Sequence, residues 1–190
     1  MNWNFSVINP FIACVLLSLF VGCLIDMGLR RLLQDENAPI TAHIGMAVTA
    51  VFLCLYGFTP HALRCILLCQ VLIVAGAFDA ATYEIPDCLH FLIMMAGLIG
   101  FQPVPALLGA ALVPLPFLIV ACRKSGSIGG GDVKLMAASG FALGVTGGVW
   151  MMVWGLLMGV LWNRTFRREK KSLPLAPFLA FGCFMTLFPT

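Results

Sequence analysis

Four carboxylates stand where apolar runs meet their loops. Three lie in Ala77-Phe78-Asp79-Ala80-Ala81-Thr82-Tyr83-Glu84-Ile85-Pro86-Asp87, and the fourth is Asp132 in Gly126-Ser127-Ile128-Gly129-Gly130-Gly131-Asp132-Val133-Lys134. Acids in such places are costly to keep, which makes each a functional candidate. Two carboxylates carried by different segments and brought together beside a glycine-rich backbone are the parts of an aspartic protease site. Like charges at close range cannot both ionise readily, so the pair holds one proton. The ionised member can then deprotonate a water while the protonated member hydrogen-bonds a scissile carbonyl. The titration of such a pair belongs to both groups together.

Each residue also has a plainer reading. Asp79 could be a helix-end carboxylate bonded to the Thr82 hydroxyl. Pro86 fixes its own φ and disfavours helical geometry at Ile85, so the chain turns there. Asp87 then stands one residue before an apolar run, and the expectation is an N-cap. Gly129, Gly130 and Gly131 allow positive φ and close backbone approach, with space for an extended peptide. The loop is not a phosphate-binding Walker A motif, because Asp132 stands where that motif needs Lys followed by Ser or Thr. Lys134 is expected to snorkel to the membrane surface or to meet a substrate. Asp26, four residues before Arg30, is expected to pair with it along the helix. Asp35, Glu36 and Glu169 sit in polar loops and are expected to be solvated. The eight cysteines form no C-x-x-C pair and are expected to be small core residues; Cys65 and Cys69, one helical turn apart, lack the further ligands a metal needs.

The elements that must position these acids are membrane helices. Of 190 residues, 61% are hydrophobic and 10% charged, against about 45–50% and about 25% in a soluble domain. That composition excludes a sizeable water-soluble domain, and with it soluble dehydrogenases, kinases and nucleic-acid readers. A transmembrane barrel is excluded as well, because the apolar runs are continuous and do not alternate. The fold class is all-α, a polytopic bundle of about eight spans near residues 8–29, 41–58, 62–78, 88–101, 104–122, 133–146, 148–162 and 173–189. The division at Gly147 competes with one long kinked helix. Residues 1–190 read as one membrane-embedded domain with its motifs between about 75 and 185. The apolar run from Ile8 to Ile25 has its arginines behind it, at Arg30 and Arg31, which suits an anchor and not a cleaved signal peptide. With the first span running inward, every Lys and Arg except Arg64 falls on a cytoplasmic loop, both termini lie outside, and the two acid-bearing loops share the cytoplasmic face.

These residues resemble a known family, the type IV prepilin peptidases, membrane aspartic proteases with a G-x-G-D motif. Asp79 followed by Ile85-Pro86-Asp87 resembles its first motif, and Gly129-Gly130-Gly131-Asp132-Val133-Lys134-Leu135 with Ala137-Ala138-Ser139-Gly140 its second. Leu173-Pro174-Leu175-Ala176-Pro177-Phe178-Leu179-Ala180-Phe181-Gly182 is similar to the proline-rich start of the family's last helix. The resemblance implies an endopeptidase of the bacterial inner membrane that removes the basic leader of prepilins or pseudopilins at the cytoplasmic face, cutting after glycine. Partners would be those substrates, the bilayer and a pilus or secretion machinery, with no nucleic acid. Asp79 and Asp132 would be catalytic, with Glu84, Pro86, Asp87, Gly129, Gly130, Gly131 and Lys134 supporting or binding substrate. Bifunctional members carry paired C-x-x-C zinc ligands between their first two spans and also methylate the product. The interval from Arg30 to Pro39 has no cysteine, so the expectation is a short form without metal or cofactor, and methylation is in doubt. The contrasting readings are a small transporter or channel component using Asp79 and Asp132 as a proton or cation relay, a presenilin-like G-x-G-D protease acting within the bilayer, and an inactive scaffold subunit.

Overall fold

The computed structural model describes residues 5–33, 41–123, 129–166 and 173–188. Asp35, Glu36, Glu169, Gly126 to Ile128 and the cations Lys124, Arg167, Arg168, Lys170 and Lys171 lie outside the described residues, as does most of the Arg30 to Pro39 loop. The order is α1 (Phe5–Leu33), α2 (Thr41–Tyr56), α3 (Pro60–Thr82), α4 (Asp87–Gly97), α5 (Pro103–Leu112), α6 (Leu115–Arg123), α7 (Gly130–Phe166) and α8 (Ala176–Leu187). Among the described residues there is no strand. A chain in lipid must satisfy its backbone polar groups within itself, and helices do so segment by segment.

Among the described residues, four stretches are long and apolar enough to cross a membrane outright: Pro10–Gly28, Pro60–Thr82, Pro103–Arg123 and Gly130–Thr165. Apolar helices α2, α4 and α8 are shorter. The break expected at Gly147 falls instead at Gly144, whose φ of 73° and ψ of −177° interrupt α7. Only glycine takes that conformation without strain. A Cβ placed on Gly148 would lie 3.3 Å from the Cα of Gly140, whereas eight residues of straight helix span about 12 Å. The chain therefore doubles back at Gly144, and α7 makes two passes, as the two-span reading of this stretch requires.

The core lies where α3, α4, α7 and α8 meet. Leu68, Leu72, Ile93, Leu135, Met136, Met151 and Leu179 are all but sealed from solvent. The outer surface is also apolar, with Leu16, Leu17, Phe20, Leu107, Val160 and Leu161 widely exposed, the surface expected of a multi-pass membrane protein. Lipid is as apolar as leucine, so polar contacts and close packing hold such helices together. Gln70 supplies one such tie, its Nε2 donating to Ser18 Oγ (2.9 Å), the Gly45 carbonyl (2.8 Å) and Thr49 Oγ1 (3.1 Å), which joins α3 to α1 and α2.

Two expectations are corrected here. Asp26 does not pair with Arg30. It is buried, and its carboxylate accepts from the Thr41 amide (3.0 Å), the Thr41 hydroxyl and the Ala42 amide (3.1 Å). The unsatisfied donors at the start of α2 are a better partner than a solvated arginine. The cysteines divide. Cys65, Cys69 and Cys183 are core residues, but Cys23, Cys54, Cys88 and Cys122 are exposed.

Candidate active site

Asp79 occupies the last turn of α3. That helix is closed by Tyr83, whose left-handed backbone (φ 57°) directs its amide to the Asp79 carbonyl at 2.9 Å. Pro86 then takes the N-cap position of α4. Asp132 occupies the first turn of α7, where its amide donates to the Gly129 carbonyl at 3.1 Å. Two helix ends thus bring the acids to the wall of one cleft at the same end of the bundle.

The pair is held asymmetrically. Asp79 is buried at 6% exposure, and its Oδ2 accepts from the Ala176 amide at 2.9 Å. That donor is one of the free N–H groups at the start of α8, and a carboxylate there also meets the positive end of the helix dipole. The Thr82 bond is not made: that hydroxyl donates to the Phe78 and Glu84 carbonyls. Asp132 is half-buried, and its Oδ1 is sealed from solvent without a hydrogen-bond partner. A bare buried carboxylate oxygen is costly, and Asp132 keeps it at the wall of the space between the acids.

That space is a cleft of ≈ 290 Å³ lined by both aspartates, Glu84, Asp87, Lys134 and all three glycines, together with Tyr83 and Ile85. Of the residues that the family resemblance names as catalytic, supporting or substrate-binding, all but Pro86 are on its wall. Larger grooves of ≈ 410 and ≈ 890 Å³ lie elsewhere, but their walls are almost wholly apolar and carry no acid.

Asp87 does not take the expected N-cap position, which falls to Pro86, and it meets Lys134 instead. Asp87 is the first residue of α4, one place after the N-cap. It accepts from Lys134 Nζ at 2.8 Å, and the ammonium holds its carboxyl below the ordinary carboxylate range. Lys134 therefore bridges α7 to α4 at the cleft rim. His90 was not singled out by sequence reasoning. It is buried one turn into α4, with Nε2 3.1 Å from the Gly131 carbonyl and Nδ1 3.6 Å from Asp87. Its one sequence signal is an i, i+3 spacing from Asp87. Among the described residues no group of three His, Cys, Asp or Glu side chains is placed to hold a metal.

The profile of the type IV leader peptidase family matches residues 66–164. The chain is 30% identical over 138 residues to the prepilin leader peptidase/N-methyltransferase of Bacillus subtilis (strain 168), covering 67% of this chain and 56% of that protein. It is 33% identical over 167 residues to the protein of the same name from Burkholderia pseudomallei (strain 1026b), covering 79% of this chain and 54% of that one. The chain thus spans about half the length of the curated relatives it matches. No solved structure matches it.

Proposed function

This chain belongs to the type IV leader peptidase family, and from that premise we propose that it is a membrane aspartic endopeptidase with Asp79 and Asp132 as its catalytic pair. The substrates are prepilins or pseudopilins, cut after glycine at the end of a basic leader. The observation that carries the reading is the cleft itself, which two carboxylates from separate helices line together with an open glycine backbone.

In the working cycle the pair holds one proton. The ionised carboxylate takes a proton from a water lying between the two acids, and the resulting hydroxide adds to the scissile carbonyl carbon. The protonated carboxyl hydrogen-bonds the carbonyl oxygen and gives it its proton as the tetrahedral intermediate forms. Collapse of that intermediate breaks the C–N bond: the leaving amine takes the proton from the pair while one hydroxyl of the intermediate returns its proton to the pair, so one shared proton remains. The Ala176 amide keeps Asp79 in place throughout, so α8 is part of the machinery. Glu84 and Asp87 give the cleft acidic walls that suit a basic leader, and Lys134 offsets Asp87.

The active face is cytoplasmic, the membrane is the bacterial inner membrane and both termini lie outside, a reading supported by the cations gathered in the loops on the acid-bearing side. A transporter relay would place its acids mid-span, whereas these lie at helix ends. Product methylation is not part of the proposal, since the interval after α1 has no cysteine for the zinc site of bifunctional members.

Co-expression with a panel of prepilins, with leader removal read by mass spectrometry, tests the reading. Wild type should cleave after glycine, and Asp79→Asn and Asp132→Asn should accumulate without cleaving. Normal cleavage by either variant would remove that residue from the pair. A product heavier by one methyl group would restore the methyltransferase activity.

A further inference from the structure

The turn that carries Asp132 has little packing to fix it. A Cβ on Gly130 would meet nothing within 4 Å, and the nearest atom to one on Gly131 would be Ile85 Cβ, at 3.6 Å. Three successive glycines leave the backbone free to enter α7 in many directions. A catalytic carboxyl needs the opposite, a direction held to a fraction of an ångström.

His90 supplies a tie from another helix. Its Nε2 lies 3.1 Å from the Gly131 carbonyl oxygen. That oxygen can only accept, so Nε2 carries the proton and donates. The ring is 7% exposed, so water competes little for the bond. Nδ1 is buried without a hydrogen-bond partner, 3.6 Å from Asp87 Oδ1. An apolar side chain would avoid that cost, and what the imidazole gains in return is a bond to the peptide unit immediately before Asp132.

We infer that His90 is a positioning residue for Asp132: its Nε2–H···O=C bond fixes the Gly131–Asp132 peptide plane, and with it the direction in which the Asp132 carboxyl enters the cleft. The inference rests on the reading of Asp132 as one of the catalytic pair. His90 touches neither substrate nor the reacting atoms, and it acts through the backbone.

The test compares His90→Leu with His90→Gln, whose side-chain amide can donate to the same carbonyl. Two readouts are taken on purified protein: steady-state cleavage of a prepilin that the wild type processes, and hydrogen–deuterium exchange of the amides at 129–135. His90→Leu should lower kcat by about 10- to 100-fold with KM unchanged and raise exchange in that segment. His90→Gln should restore most of both. Wild-type kcat and exchange in His90→Leu would overturn the inference, and so would a glutamine variant as impaired as the leucine one. If His90→Leu does not accumulate, His90→Gln decides alone: wild-type exchange and kcat support the tie, and loss of either overturns it. If the wild type cleaves no prepilin, the peptidase reading fails, and exchange judges the tie by itself. Loosening in His90→Leu but not in His90→Gln then upholds the anchoring of Asp132, and its absence overturns it.

Discussion

Replacing Asp79 once with asparagine and once with leucine separates its chemical role from its structural one. Its Oδ2 takes the Ala176 amide at 2.9 Å inside a site where the residue is only 6% exposed. Leucine removes the acceptor and strands that buried donor, which costs about 1–3 kcal/mol. For a chain of this length each kcal/mol moves Tm by about 2–4 °C, so the leucine variant should melt about 2–12 °C below wild type. Asparagine keeps a carbonyl oxygen in reach of the same amide, and its loss should be about 1 kcal/mol or less, the difference between a charged and a neutral acceptor. Both variants should lose about 10²–10⁴-fold in cleavage rate, because neither can hold or release the shared proton. Thermal unfolding in detergent can be followed with a thiol-reactive dye, since Cys65, Cys69 and Cys183 are buried until the bundle opens. Prepilin cleavage is read in parallel by mass spectrometry. If asparagine melts as low as leucine, the hydrogen-bond reasoning is wrong. If asparagine cleaves at the wild-type rate, Asp79 is an anchor for α8 and nothing more.

Gly144→Ala should cost about 1–3 kcal/mol by placing a side chain in a conformation reserved for glycine, with Pro105 Cβ only 3.4 Å away; the same dye-monitored melt checks it. Asp26→Ala should cost about 1–2 kcal/mol, the worth of a helix cap, with Asp26→Asn retaining most of the stability, because the carboxylate serves two amides and a hydroxyl at the start of α2. Gly130→Val should leave Tm unchanged, since nothing lies within 4 Å of its new Cβ. The same variant should raise KM for the prepilin by filling the cleft wall, and unchanged KM would show that substrate does not run along this backbone.

The all-helical membrane architecture and the two aspartates were legible in the chain alone. Apolar runs that cannot leave backbone groups unpaired in lipid must become helices, and an acid at the edge of such a run stands out against its composition. Signals within one or two helical turns could be read; those between distant segments could not. Gly140, Gly144, Gly147 and Gly148 offer similar breaks locally, and the close packing of α7 on α5, with Pro105 against Gly144, accompanies the reversal there. Asp26 has Arg30 four residues away, yet its partners Thr41 and Ala42 belong to the next helix. Asp87 looks like a cap until Lys134, 47 residues on, reaches it. The Ala176 amide on Asp79 is 97 residues distant, and the Gly131 carbonyl is 41 from His90. Residue type and local spacing determined which groups could do chemistry. Which group each of them meets was decided by helix packing, because a buried donor or acceptor takes the partner that the bundle brings within reach, whatever its place in the chain.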